Sequence, residues 1–198
     1  MSPEMFASIL AGIALAAASG LRAFLPLLLV NLGARIGWVD LNPEMSFLAG
    51  DVALAALLVA TILEIGADKI PIVDHLLDVS ATVLRPAAGV LAGMSMVSDL
   101  PQPVTIALAL VLGTISLGTQ IGRAKVRIGS TISTGGAANP VLSTIEDGIS
   151  AVLSVLAILI PIVAGILVLL FFFLLFRLLR RFHRAAGRAF KRRSAAEV

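Results

Sequence analysis

The chain has 198 residues, of which 59% are hydrophobic and 14% are charged, and its formal net charge at pH 7 is +3. The mean hydropathy of +1.04 lies well above that of ordinary soluble domains and indicates an integral membrane protein. Cysteine is absent, and the two histidines, His75 and His183, lie far apart in sequence. Disulfides are therefore excluded, and we expect neither a metal site nor a cofactor.

Long apolar stretches predict membrane-spanning helices. The stretches approach or exceed the roughly 20 residues that a helix needs to cross the hydrocarbon layer, and they are continuously apolar rather than alternating. They are Met5–Ala18, Ser46–Ile65, Val79–Val97, Val104–Ile121 and Ile149–Phe176. No Lys or Arg precedes the first stretch, so we interpret it as a retained helix and not as a signal peptide.

The basic residues predict the orientation of the chain. Eight of the fifteen Lys and Arg residues lie in 177–193 and three more in 123–127, and positive charge favours the cytoplasmic side. Both clusters can lie inside only if the polar stretch 128–149 also crosses. This gives six crossings, with Ser2, Lys125 and both termini cytoplasmic and Asp99 external. A five-crossing alternative joins 140–176 into one helix of about 55 Å, which exceeds the hydrocarbon thickness.

The predicted fold is thus an all-α, polytopic transmembrane helical bundle of about six crossings with broken or re-entrant segments. Residues 1–176 would form the transmembrane domain, and halves 1–98 and 99–176 could form an inverted repeat. Residues 177–198 would form a basic amphipathic cytoplasmic tail. We expect the tail to bind the anionic leaflet through residues 177–193, rather than nucleic acid.

The segment SGLRAFLP, Ser19–Pro26, interrupts the first apolar region with a glycine, an arginine and a proline. Proline removes a backbone hydrogen bond, so the segment predicts a break or kink in the helix. Two interpretations of Arg22 stay open. Its side chain either reaches toward an interface or faces inward to contact an anion.

The segment DKIPIVDHLLD, residues 68–78, concentrates charge in an otherwise apolar chain. In a helix that begins near Pro71, Asp74 and Asp78 share one face, and Glu64 and Asp68 come shortly before it. The carboxylates could be a solvated cap at the membrane interface. Alternatively they form a proton or cation site, or their repulsion is relieved by a basic partner, Arg85 or Lys69.

Two further polar positions interrupt apolar surroundings. Arg85, in VLRPAAG, lies near the middle of the third predicted helix, where an arginine usually faces the bundle interior and pairs with an acid. The segment STGGAANPVLSTIEDG joins Asn139 and Pro140 to a carboxylate pair, Glu146 and Asp147. It predicts a hairpin or unwound segment that leads into a half-helix, whose start could bind an anion. Ordinary loop chemistry is the alternative.

These segments resemble a bacterial membrane family known as domain of unknown function 4126. The resemblance rests on ASGLRAFLPLLLV, LEIGADKIPIVDHLLD with VLRPAAG, and AKVRIGSTISTGGAANPVLSTIEDG, in that order. The family usually has an Asn-Thr-Ser-Pro-Glu-Pro run where this chain has STGGAANP. The resemblance implies a helical membrane protein whose polar positions are family motifs, and it implies no substrate.

The leading functional prediction is a small transporter, or a passive pathway, for an anionic solute or a lipid headgroup, with proton coupling. The predicted anion-binding residues are Arg22, Lys69, Arg85 and Asn139. The predicted proton- or cation-coupling residues are Glu64, Asp68, Asp74, Asp78, Glu146 and Asp147.

The alternative is a non-catalytic accessory or assembly subunit of a larger membrane complex. We do not expect an enzyme, because the chain lacks a metal-ligand spacing, a Ser-His pair in one motif and a phosphate loop. Membrane lipids are the expected partners, with a homo-oligomer or a larger complex as a further expectation.

Overall fold

The computed structural model of the protein describes residues 2–67, 71–174 and 177, and for residues 71–80 it describes the backbone alone. All regular elements of these residues are helical, which confirms the all-α fold. They are α1 (Pro3–Leu21), α2 (Phe24–Arg35), a 3₁₀ helix (Pro43–Ala49), α3 (Asp51–Ala67), α4 (Pro71–Met94), α5 (Gln102–Thr134), α6 (Asn139–Leu159) and α7 (Pro161–Leu174). Two compact units contain residues 1–165 and 166–198. The first unit contains α1 to α6, and the second contains most of α7. Apart from Arg177, the predicted tail lies outside the described residues.

Helix α1 forms the centre of the first unit and packs against α4, α5 and α6. Small residues permit a close approach to α4. A Cβ atom built on Gly12 would lie 2.8 Å from the carbonyl oxygen of Gly93, and one built on Gly89 would lie 3.4 Å from that of Ala16. Because the contacts move forward along α1 as they move backward along α4, these two helices are antiparallel.

Helix α2 returns to the end of the bundle at which α1 begins. The backbone amide of Asn42, in the loop after α2, donates to the carbonyl of Ser95 at 2.9 Å, and its side chain donates to the carbonyl of Val97 at 2.7 Å. Both acceptors follow the end of α4, which lies beside the start of α1. The first two helices therefore form a V, in which α2 runs back toward the end at which α1 begins.

The predicted break lies at Arg22, between α1 and α2. The backbone of Arg22 is extended, with φ −135° and ψ 119°, while its amide still donates to the carbonyl of Ala18 at 3.0 Å. Pro26 lies in the first turn of α2, where its missing amide hydrogen breaks no helical hydrogen bond. The sequence prediction of a break in Ser19–Pro26 is confirmed.

Helix α4 continues through Pro86, although proline cannot donate to the carbonyl four residues earlier. Helix α5 supports the backbone at this point. The Ser116 hydroxyl donates to the carbonyl of Arg85 at 2.8 Å. In the orientation that satisfies both atoms of its amide, Gln120 donates to the carbonyl of Ala81 and accepts from the amide of Thr82, each at 3.2 Å.

The stretch 128–149 does not form the separate crossing that we predicted. Helix α5 has 33 residues, about 50 Å at 1.5 Å per residue, and continues through this stretch to Thr134. The chain then turns through Gly135 and Gly136, which have φ values of 64° and 88°, and α6 runs back from Asn139. The prediction of a hairpin is correct, but it joins two long helices instead of crossing the bilayer as one segment.

The alternating helices place the charged segments at two ends of the first unit. The N-terminal end carries Ser2 and the loop that contains Asp99, because α1 begins where α4 ends. The opposite end, which we call the arginine end, carries Arg22 and the second half of α5 with Lys125. The predictions that Ser2 shares a side with Lys125, and that Asp99 lies opposite Ser2, are therefore wrong for helices that cross the membrane.

Three described helices, α1, α5 and α6, are long and apolar enough to cross a membrane. The number is four if the 3₁₀ helix and α3, which are bent by 65°, form one span. Helix α2, the Ala81–Met94 part of α4, and α7 are shorter apolar helices. These helices are consistent with a membrane protein, and the count of six crossings stays a prediction.

Candidate functional site

Arg22 connects the end of α1 to α6. Its side chain is completely buried, and one terminal nitrogen donates to Ser143 at 2.7 Å from the hydroxyl and 3.2 Å from the carbonyl. Its Nε pairs with a carboxylate oxygen of Asp147, whose side chain is 21% exposed. Arg22 faces inward, so the alternative in which it reaches toward an interface is excluded. The partly exposed carboxylate of Asp147 forms the outer side of this buried pair.

Glu64 connects α3 to the start of α2 and to α4. One carboxylate oxygen accepts from the amide of Ala23 at 2.8 Å, and the other accepts from the amide of Phe24 at 3.1 Å. The guanidinium of Arg85 lies 3.7 Å from the first oxygen, and both side chains are more than nine-tenths buried. The expected inward pairing of Arg85 is confirmed, with Glu64 as its acidic partner.

Glu146 connects α6 to α5 through two arginines. One carboxylate oxygen lies 2.6 Å from Nε of Arg123 and 3.1 Å from a terminal nitrogen of Arg127. All three residues are more than 90% buried. Arg123 and Arg127 are four residues apart on α5 and therefore share a face, while the intervening Lys125 is exposed.

Together these side chains form a charged cluster at the arginine end. Its members are Arg22, Arg85, Arg123, Arg127, Glu64, Glu146 and Asp147, with the hydroxyl of Ser143. Charges buried in a protein require pairing and hydrogen bonding, since their desolvation costs several kcal/mol per ion. Each arginine has a carboxylate partner here, and each pair joins two helices. The cluster can hold helices together, and its guanidinium groups are the type of side chain that binds carboxylate and phosphate oxygens.

The structure brings together five of the predicted site residues and separates one. The cluster contains Arg22, Arg85, Glu64, Glu146 and Asp147. Asn139 instead is the half-buried first residue of α6, after the turn that follows α5, and its amide nitrogen donates to the Thr131 hydroxyl at 3.0 Å. Its predicted role as an anion ligand is not supported by this position.

The side chains of four further predicted site residues lie outside the part of the chain that the structure describes. Asp68 and Lys69 lie outside the described residues. Asp74 and Asp78 lie on the first turns of α4, in the part whose backbone alone is described. Their proposed roles stay predictions.

Sequence reasoning missed Arg123, Arg127 and Ser143 as members of the site. The two arginines were interpreted only as a topological signal, because basic residues at the end of an apolar stretch usually mark the cytoplasmic side. Their spacing of four residues, and the acidic pair that follows on the next helix, could have indicated a buried pairing. Ser143 carried no signal beyond lying in the same segment as Glu146.

Two buried hydroxyl groups near the cluster have no hydrogen-bond partner among the described residues. Ser19, one helical turn before Arg22, is 0% exposed, and Thr61, one turn before Glu64, is 5% exposed. The described residues contain no group of three His, Cys, Asp or Glu side chains that could hold a metal ion.

Comparison with known proteins identifies a family. Searches among curated proteins and among solved structures found no match. The family described as "Domain of unknown function (DUF4126)" matches residues 9–181, a range that includes all members of the charged cluster and every described helix apart from the first six residues of α1. Because the match covers far more than half of the chain, the protein belongs to the DUF4126 family.

Proposed function

We propose that the protein is a small membrane transporter, or a passive pathway, for an anionic solute or a lipid headgroup. We place it in the bacterial inner membrane and propose no enzymatic activity. The observation that carries this proposal is the burial of four arginines, Arg22, Arg85, Arg123 and Arg127, in one cluster of an otherwise apolar protein.

The cost of burying these groups supports a functional role. Replacing a buried ion pair by apolar residues of similar volume is often neutral or stabilising, so packing alone does not require such a cluster. Ionisable residues within membrane-spanning segments usually face the interior and mark solute pathways. Arg22 lies at a helix break, and its partner Asp147 is partly exposed, so an anion could reach this pair from outside the bundle.

Proton coupling would use the carboxylates of the cluster. Glu64, Glu146 and Asp147 each neutralise an arginine, and a proton taken up by one of them would leave positive charge for an incoming anion. The predicted tail would add attraction to anionic lipids through its eight basic residues.

Transport by full-length protein in lipid vesicles tests the proposal. Labelled phosphate, sulfate and short carboxylates would be followed with and without a pH gradient, together with a fluorescent anionic phospholipid for transfer between leaflets. We expect the wild type to move at least one of these probes. Free anions and lipid headgroups are distinguished by which assay responds.

Matched variants separate the cluster from surface charge. Arg22→Gln combined with Asp147→Asn removes both charges of the buried pair and should abolish movement. Arg35→Gln removes the arginine of an ion pair with Asp51, whose side chain is 94% exposed, and should leave movement unchanged. Equal activity of the two variants would contradict a role for the cluster.

An accessory or assembly subunit is the second candidate. It is favoured by the fact that the ion pairs join α1 to α6, α3 to α4 and α5 to α6, as structural cross-links would. This candidate predicts stoichiometric co-purification with another membrane protein and no movement of any probe by the purified chain. That pair of results would replace the transport proposal.

A further inference from the structure

The start of α2 holds a carboxylate in the manner of an anion-binding site. The two oxygens of Glu64 accept from adjacent backbone amides, those of Ala23 and Phe24, at 2.8 and 3.1 Å. The first amides of a helix lack partners within the helix, and its dipole attracts negative charge there. The guanidinium of Arg85, 3.7 Å from the same carboxylate, adds a positive charge on another side.

This carboxylate comes from a distant part of the chain. The N-cap position of α2 is Ala23, which cannot cap the helix with its side chain, and Glu64 lies 41 residues later on α3. The amides at the start of α2 are therefore satisfied by a side chain of another helix and not by a residue of the turn itself. Any oxyanion with two suitably spaced oxygens could make the same two hydrogen bonds.

Thr61 supplies a second, independent indication of a ligand. It lies one turn before Glu64 on the buried face of α3, which also contains Leu57. Its hydroxyl is buried and has no hydrogen-bond partner in the part of the chain that the structure describes. A buried hydroxyl without a partner is costly, and an oxyanion larger than a carboxylate could accept from it.

The described charges around Glu64 define what happens when it is neutralised. Arg85 faces it from α4, and Arg22 directly precedes the amides of α2. Arg35 is the last residue of α2, eleven residues after Phe24, and Glu44 lies in the first turn of the 3₁₀ helix, so both belong to the N-terminal end and not to the arginine end. Protonation of Glu64 would thus remove the negative charge that faces two backbone amides and the guanidinium of Arg85.

We infer that Glu64 is a tethered anion in an oxyanion-binding site at the start of α2, and that a carboxylate or phosphate-type anion takes its place when Glu64 gains a proton. This inference rests on the proposed function and specifies its site and its coupling. One proton binds the carboxylate of Glu64 as one anion enters. For a monoanion the exchange leaves the net charge of the site unchanged.

Equilibrium dialysis with labelled sulfate tests the inference on the full-length protein in detergent. Sulfate keeps its charge between neutral and mildly acidic pH, so any pH dependence comes from the protein. Glu64→Gln should bind sulfate about tenfold more tightly than the wild type at neutral pH, as expected if the competing carboxylate occupies the site about nine-tenths of the time. Acidification should bring the wild type toward the affinity of the variant, whose own binding should depend less on pH.

Glu44→Gln is the matched control, because Glu44 is exposed at the N-terminal end. It should bind sulfate like the wild type at each pH. The inference is overturned if Glu64→Gln binds no more tightly than the wild type, or keeps the same pH dependence. Reduced thermal stability with unchanged sulfate binding would likewise make Glu64 a helix cap alone.

Thr61→Val gives a second route if Glu64→Gln does not fold. It retains every charge and should weaken sulfate binding to the acidified protein, whereas unchanged binding would contradict the site.

The transport proposal and the oxyanion-site inference can be contradicted independently of each other. Transport with wild-type pH dependence in Glu64→Gln would remove this inference and retain transport. Tightened sulfate binding without movement of any probe would retain the site and remove transport.

Discussion

Gly12 on α1 and Gly93 on α4 pack backbone against backbone. A Cβ atom built on Gly12 would lie 2.8 Å from the carbonyl oxygen of Gly93, and one built on Gly93 would lie 2.9 Å from the carbonyl oxygen of Gly12. Small residues allow such close approaches between helices in membranes, where packing replaces the hydrophobic effect as the force that joins them. The contact fixes α1 at the centre of the bundle and thereby positions Arg22.

Gly12→Ala should destabilise the protein. The new methyl group meets main-chain atoms, which cannot move aside as a flexible side chain could, and overpacking of this kind costs about 1–3 kcal/mol. Gly129→Ala is the control, since Gly129 is exposed on α5 and a Cβ there meets no described atom within 4 Å. It should be neutral or gain up to about 1 kcal/mol of helix propensity. Unfolding in detergent measures both, and equal stabilities would contradict the close packing.

Glu146→Gln should lower stability more than any single change at an exposed ion pair. The substitution leaves the buried side chains of Arg123 and Arg127 without the carboxylate that they share, and breaking a buried pair costs about 3–5 kcal/mol. Asp51→Asn, in the exposed pair with Arg35, should change stability little. Denaturant titration of the two variants in the same detergent provides the comparison, and a small effect of Glu146→Gln would indicate that solvent reaches these arginines.

Gln120 should matter because it bonds the backbone of α4 from α5. Its amide donates to the carbonyl of Ala81 and accepts from the amide of Thr82. Gln120→Leu should therefore cost about 1 kcal/mol for each hydrogen bond lost. Pro86→Ala restores a donor for the carbonyl of Thr82, a group to which Gln120 does not bond, so the effects of the two substitutions should add. A double-mutant cycle measures the sum, and a strong coupling would show that Gln120 compensates for the proline.

The sequence predicted which charged side chains are buried better than it predicted their partners. Apolar length predicts helices, and a charge within an apolar run predicts burial, because both depend on local composition. The inward position of Arg22 and the pairing of Arg85 follow from such reasoning. The partner of Arg85 is Glu64, and that of Arg22 is Asp147, 125 residues later. These choices depend on how the helices pack, and single-sequence patterns do not contain that information.

The error in topology has a physical cause. The sequence predicted a break or kink in the helix around Arg22. A break with an extended residue can also reverse the chain. The contacts that show this reversal are made to Ser95 and Val97, which lie far away in sequence. The positive-inside rule placed Lys125 on the same side as Ser2, whereas the structure places them at opposite ends of the first unit, and the rule counted Arg123 and Arg127 as loop charges. Both are buried and paired with Glu146, so they carry less topological information than exposed loop residues do.

Cysteine labelling tests the corrected arrangement directly, since the natural chain contains no cysteine. Ser2→Cys and Gln102→Cys place exposed thiols at the N-terminal end, and Ser133→Cys places one at the arginine end. Gln102 is preferred to Asp99, whose φ of 58° suits few other residues. In intact cells a membrane-impermeant maleimide should react either with positions 2 and 102 and not with 133, or with 133 and not with 2 and 102. The reason is that α1, α3 and α5 run antiparallel to α2, α4 and α6. Disruption of the cells should make all three equally reactive. Labelling that groups position 2 with position 133 would restore the arrangement in which α1 and α2 form one crossing, and would separate Arg22 from the charged cluster described above.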